Sequence, residues 1–126
     1  MSGIDHVGVL VEDIDKSVDF YKVVLAPLGI ECLMDFSHAG RRHAGFGENN
    51  KPYFWLTGGE RVPGTHVCFS AGSRAEVDAF YAAAIEAGAK DNGAPGLRPH
   101  YHANYYGAFV FDPDGQNIEA VCHGPD

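Results

Sequence analysis

Two segments sixty residues apart open with the same pattern of apolar and polar positions. Residues 4–11 and His66–Ser70 are short, apolar and rich in β-branched side chains, as strands are. A helical period follows each. In the second copy Ser73 and Glu76 form a Ser-x-x-Glu capping box, after which Val77, Phe80, Tyr81, Ala84 and Gly88 share one helical face. In the first, Asp13 stands where Ser73 stands, and Val18, Tyr21, Leu25 and Leu28 form the stripe that ends at Gly29. Further strands are predicted over 31–36, 42–46 and 53–56, then over 89–92, 106–112 and 117–123. Asp112-Pro113-Asp114-Gly115 makes the last turn. Each half reads as βαβββ. The prediction is an α+β fold of two such modules, about 1–60 and about 61–126, not a doubly wound sheet.

The repeat extends to individual residues. Asp5-His6-Val7 is followed fourteen positions after its histidine by Phe20-Tyr21, and Thr65-His66-Val67 at the same interval by Phe80-Tyr81. His6 and His66 therefore occupy one register. On the closing strand Glu119 shares a face with Asn117, Val121 and His123. If a pseudo-twofold relates the modules, the two histidines face each other and Glu119 completes a three-ligand site. Two imidazoles and a carboxylate suit Fe(II), Mn(II), Ni(II) or Zn(II) and leave positions open for substrate. A single strand histidine is ordinarily structural; the recurrence of both at one register is what favours ligands.

Composition narrows the class. The 126-residue chain fits one domain, with 45% hydrophobic and 21% charged residues. Its net charge of −8 disfavours nucleic acid and anionic membrane surfaces, which demand cations. No apolar run approaches the roughly 20 residues of a membrane span, and Met1-Ser2-Gly3 begins no secretory signal. Cys32, Cys68 and Cys122, odd in number and dispersed, suit a reducing cytoplasm.

The motifs Asp5-His6-Val7, Phe20-Tyr21 with Leu28-Gly29, Thr65-His66-Val67, and 112–119 (Asp-Pro-Asp-Gly-Gln-Asn-Ile-Glu) resemble the vicinal oxygen chelate superfamily. That group includes glyoxalase I, bleomycin-resistance proteins, extradiol dioxygenases and fosfomycin-resistance thiol transferases. The resemblance implies a glyoxalase-like pair of half-barrel modules, with His6, His66 and Glu119 holding one divalent ion. Glyoxalase I carries a fourth ligand near the end of its first module. Here that region reads Tyr53-Phe54-Trp55-Leu56, which offers none and argues against glyoxalase I activity.

Substrate-facing residues are expected in the stretch 95–106. It carries Arg98, His100, Tyr101, His102, Tyr105 and Tyr106 among prolines and a glycine that mark a loop. Arg98 is suited to a carboxylate or phosphate, with His100, Tyr105, Tyr106 and the distant Trp55 lining the pocket. His102 or Tyr101 could exchange protons alongside Glu119. His38 and His43, flanking Arg41-Arg42, read as solvated hairpin residues. Cys68 and Cys122 read as small buried hydrophobes, and His123 as a residue that could support Glu119.

The reading is a cytoplasmic, metal-dependent enzyme acting on a small substrate with two vicinal oxygens, lyase or isomerase chemistry being preferred over dioxygenation. The alternatives are a metal-free sequestering protein of the bleomycin-resistance type and a thiol transferase. The resemblance also implies a homodimer, with modules paired within a chain or swapped between chains.

Overall fold

A computed structural model describes residues 4–60 and 65–125. The N-terminal tripeptide and the junction between the two expected modules lie outside the described residues. The first module runs β1 (Val7–Val11), α1 (Ile14–Val24), β2 (Glu31–His38), β3 (Arg41–Glu48) and β4 (Lys51–Gly58). The second repeats it as β5 (His66–Ser70), α2 (Arg74–Glu86), β6 (Lys90–Leu97), β7 (Tyr106–Phe111) and β8 (Asn117–Cys122). The sheets are ordered β1-β4-β3-β2 and β5-β8-β7-β6, the same permutation twice. In each, the opening strand pairs parallel with the closing one and the other pairs are antiparallel. This is the α+β pair of βαβββ modules that the repeat predicts.

The helices start where their caps stand. Asp13 accepts the Lys16 amide at 3.1 Å and Ser73 the Glu76 amide at 3.2 Å, each satisfying a backbone donor of the first turn. After α1 a short 3-10 turn, Ala26–Leu28, ends at Gly29 with φ 77°, a left-handed conformation that glycine adopts without cost. Val18, Tyr21, Leu25 and Leu28 are all buried, and so are Val77, Phe80 and Ala84 of α2.

Both modules contribute to one core. Val9, Val11, Phe46, Phe54 and Leu56 cover the helix side of the first sheet; Phe69, Ala108, Val110, Ile118 and Ala120 do so in the second. Phe54 meets Phe69 edge to face with ring centroids 5.0 Å apart. Polar bonds cross the same seam. Tyr21 of α1 donates its hydroxyl to Asp112 Oδ2 at 2.7 Å, while Asp112 Oδ1 accepts the amides of Asp114 and Gln116 at 2.9 and 2.8 Å. The Asp-Pro-Asp-Gly turn thus serves as a structural joint. Because the helix-side faces meet each other, the opposite faces of the two sheets turn outward.

Two of the boundary differences bear on the site. The first strand begins at Val7, so His6 precedes it. The second strand of the second half, β6, extends to Leu97 where a loop was expected from residue 95. It is an edge strand, its register slips between Asp91 and Gly93 and again between Gly93 and Gly96, and such irregular edges accommodate proline. Among the described residues no helix is long and apolar enough to cross a membrane.

Candidate functional site

Glu119 projects from the outward face of the second sheet and is nevertheless only 2% exposed. Three neighbours cover it. His66, at the start of β5, places Nε2 3.0 Å from Oε1. Tyr105, just before β7, donates its hydroxyl to Oε2. Cys68, two residues beyond His66 on the same face, is the register partner of Glu119 across β5 and β8. Gly107 makes the arrangement possible: a Cβ there would lie 3.2 Å from the Tyr105 ring and 3.3 Å from Oε2.

Among the described residues no lysine or arginine forms an ion pair with this carboxylate; its recorded ion-pair partner is the half-exposed His66. A buried carboxylate costs several kcal/mol unless its charge is compensated. Here hydrogen-bond donors do that work. Burial first, then the Glu119 bond and charge, hold the Tyr105 hydroxyl well above its usual range. Cys68 is an exposed residue, yet desolvation of its sulfur, then the charge and hydrogen bond of Glu119, hold the thiol well above its usual range too. Both groups therefore keep their protons near neutrality, and neither is a ready nucleophile. An imidazole nitrogen beside a buried carboxylate oxygen is a fitting donor pair for a borderline divalent cation, which would take the place of the hydrogen between them.

His6 lies elsewhere. It is exposed, and its Nδ1 is 2.8 Å from Asp5, whose carboxyl is held low by Lys51 and then by His6. It reaches the rim of a cleft of about 620 Å³ that His66 also lines. No group of three His, Cys, Asp or Glu among the described residues is placed to hold a metal ion.

The loop after β6 folds back over Glu119. Arg98 lies on the Phe109 ring, 5.4 Å from its centroid, and donates to the carbonyls of Gly96 and Ala94 at 2.8 and 2.9 Å. Phe109 is the β7 partner of Glu119, so the guanidinium sits on the same face as the carboxylate. Tyr101 packs on Tyr105 at 4.7 Å and His100 on Tyr101 at 4.3 Å. His102 Nδ1 accepts the Asn104 amide at 3.1 Å, and its Nε2 lies 2.8 Å from His123 Nδ1. The Asn104 amide occupies His102 Nδ1, which leaves His102 Nε2–H to donate to His123 Nδ1. His102 is thus committed to structure at both nitrogens. His123 supports the loop rather than Glu119 directly. Tyr106, expected with the pocket, faces α2 instead, donating to Asp78 at 2.6 Å beneath Arg74; alternation along β7 puts it on the other side from Gly107.

Trp55 belongs to the outward face of the first sheet. It pairs with Gly8 as Glu119 pairs with Cys68, so it occupies in module 1 the place Glu119 holds in module 2. His43, expected to be solvated, is half-buried there, 3.0 Å from Thr57 Oγ1 and stacked on Phe36. The sequence pattern did not reveal Cys68, read as a buried hydrophobe, as a neighbour of Glu119, nor the pairing of His102 with His123, both of which it had named singly. Period-two alternation from His66 would have found Cys68; nothing local signals a contact across 21 positions.

With this geometry established, known proteins can be compared. The family model described as Glyoxalase/Bleomycin resistance protein/Dioxygenase superfamily matches residues 3–120. A glyoxalase/bleomycin resistance protein from Albidiferax ferrireducens T118 is 29% identical with a TM-score of 0.77, over 94% of this chain and 97% of that one. A glyoxalase I mutant from Zea mays is 22% identical with a TM-score of 0.73, over 94% of this chain but 46% of its own. A mutant of the fosfomycin resistance protein FosX from Listeria monocytogenes, complexed with manganese(II) and a dihydroxypropylphosphonic acid, is 16% identical with a TM-score of 0.70, over 96% of this chain and 90% of that one. No curated protein matches the sequence.

Proposed function

Since this chain belongs to the glyoxalase/bleomycin resistance protein/dioxygenase superfamily, we propose that it is a metal-dependent enzyme acting on a small substrate with two vicinal oxygens. The observation that carries the reading is Glu119: a buried carboxylate beside an imidazole, on an outward face, with no lysine or arginine paired to it among the described residues. A protein that only sequestered an apolar ligand would have no use for so costly a group.

His66 and Glu119 would hold the ion, with His6 as third donor supplied by a second copy of the chain. The shared core turns the outward faces of one chain away from each other, so the first-module face of one copy and the second-module face of another are the pair that can enclose a site. β1 and β5, both edge strands, are then free to adjoin across the dimer. A bound divalent ion would act as a Lewis acid, stabilising negative charge on the chelated oxygens. The chain's own residues do the rest. Tyr105 keeps its proton on the hydroxyl and aims Glu119; the His102–His123 bond ties the loop down over it. Arg98, over the Phe109 ring, presents a cation to an anionic substituent of the substrate. Isomerase or lyase chemistry is preferred over dioxygenation, and no residue here calls for a thiol cosubstrate.

The test is metal content by plasma mass spectrometry on untagged protein, with His6→Ala, His66→Ala and Glu119→Ala alongside. About one ion per chain in the parent, and far less in each variant, is expected. Mixing the two separately defective variants His6→Ala and Glu119→Ala should restore about a quarter of the sites, through dimers carrying one intact site. A parent that takes up no ion after reconstitution with several metals overturns the enzyme reading. Failure of the mixture alone overturns the shared site.

A further inference from the structure

The outward face of module 1 is built for a flat partner. The indole of Trp55 lies directly on the backbone of Gly45: a Cβ at that position would fall 2.7 to 2.9 Å from three of its ring carbons. Gly8, the register partner on the other side, likewise carries no side chain. The ring therefore rests on bare strand and is half-buried. Phe36 meets it edge-on, centroids 6.0 Å apart at 77°, and stacks on His43 at 5.3 Å and 29°. Thr57 Oγ1, 3.0 Å from His43 Nδ1, fixes that ring in turn.

Three π-systems thus share one shallow trough of about 490 Å³. It is not closed by the chain itself. Phe36 is left 42% and Met34 45% exposed on the adjacent edge strand, which extends apolar surface beyond the trough. Charge narrows the ligand further. In a protein of net charge −8 the lysine that lines this trough is Lys51, and its ion-pair partner Asp5 lines the trough beside it. It spends one ammonium hydrogen on Asp5 at 2.8 Å and has two more to give. Arg41 lies on the same face, two residues along β3 from His43.

We propose that this trough binds a planar aromatic ring bearing an acidic group, stacked on Trp55 with the acid directed to Lys51. Calling that ring part of the substrate rests on the enzyme reading above; the binding of the ring does not. Trp55 is the chain's sole tryptophan, so its emission reports on the trough directly.

The experiment is a fluorescence titration with benzoate against cyclohexanecarboxylate, equal in charge and similar in size but puckered. It is run once with chelator and once with manganese(II). Benzoate should quench Trp55 saturably and bind about threefold to tenfold more tightly than its puckered counterpart, the range expected of one stacked pair. The preference should survive the chelator, which separates this proposal from the metal reading. Gly45→Ala, which lifts the indole off its floor, should abolish the preference, and Lys51→Ala should weaken benzoate about threefold or more. Equal binding of the two acids, or a benzoate preference unchanged in Gly45→Ala, overturns the proposal.

Discussion

The two outward sheet faces share a backbone plan and carry opposite chemistry. In module 1 a large indole sits between Gly8 and Gly45; in module 2 the smaller Glu119 sits between Cys68 and Phe109. Where the central residue is large its neighbours vanish, and where it is small they return. Each face divides its bulk differently and so changes its chemistry: one presents a half-buried aromatic shelf, the other a covered carboxylate. The comparison teaches that the repeat constrains the strands and the core beneath them, and leaves the outward positions free to diverge as matched sets. The proposed pocket, with one apolar wall and one ligating wall, would follow from that division without any change of fold.

The most severe way to break the comparison is to transplant one residue without its set. Glu119→Trp, with Cys68, Phe109 and Tyr105 in place, overpacks the second face and should cost about 3 kcal/mol, lowering the melting temperature by roughly 10 °C. Adding Cys68→Gly and Phe109→Gly should recover a substantial part. A single variant as stable as the triple in thermal melts would refute the matched-set explanation.

A milder cut, Tyr105→Phe, removes one of the donors that make the buried carboxylate tolerable. The expected loss is about 1 to 2 kcal/mol in urea unfolding. Trp55→Phe, on the half-buried shelf where no polar group depends on the residue, should cost less. If the order is reversed, the second face is not held by its polar contacts.

The smallest effect belongs to the seam beneath both faces. Burial holds Asp112 above the usual carboxylate range, against the pull of Tyr21 and of the Gln116 and Asp114 amides. An acid raised in the folded state binds its proton more tightly there than in the unfolded chain. Its contribution to stability is therefore present at low pH and lost as pH rises from the ordinary carboxylate value through the folded one. Asp112→Asn removes that titration. The melting temperature of the variant relative to the parent should improve by about a degree or two between pH 4.5 and pH 7. A constant gap would mean that Asp112 carries its charge at no cost.

Local pattern was enough for the elements and their order. The capping residues Asp13 and Ser73, the stripes they precede, the turn at 112–115 and the sixty-residue repeat are all short-range signals, and each lies where the backbone needs it. Strand alternation also put Glu119 on one face with Asn117, Val121 and His123, because a period of two is a property of the strand itself. What alternation could not supply is which strands lie side by side. Only the registers β1–β4 and β5–β8 make Trp55 the counterpart of Glu119 and set Cys68 beside that carboxylate, and only the register β3–β4 sets Gly45 beneath the indole. Tyr106 shows the same limit: its neighbours in sequence belong to the pocket, but one step along a strand turned it to α2. The sequence determined the pieces and their periodic faces, since those depend on a few adjacent residues. Tertiary structure decided the contacts among distant strands, since they depend on how two sheets close over one core.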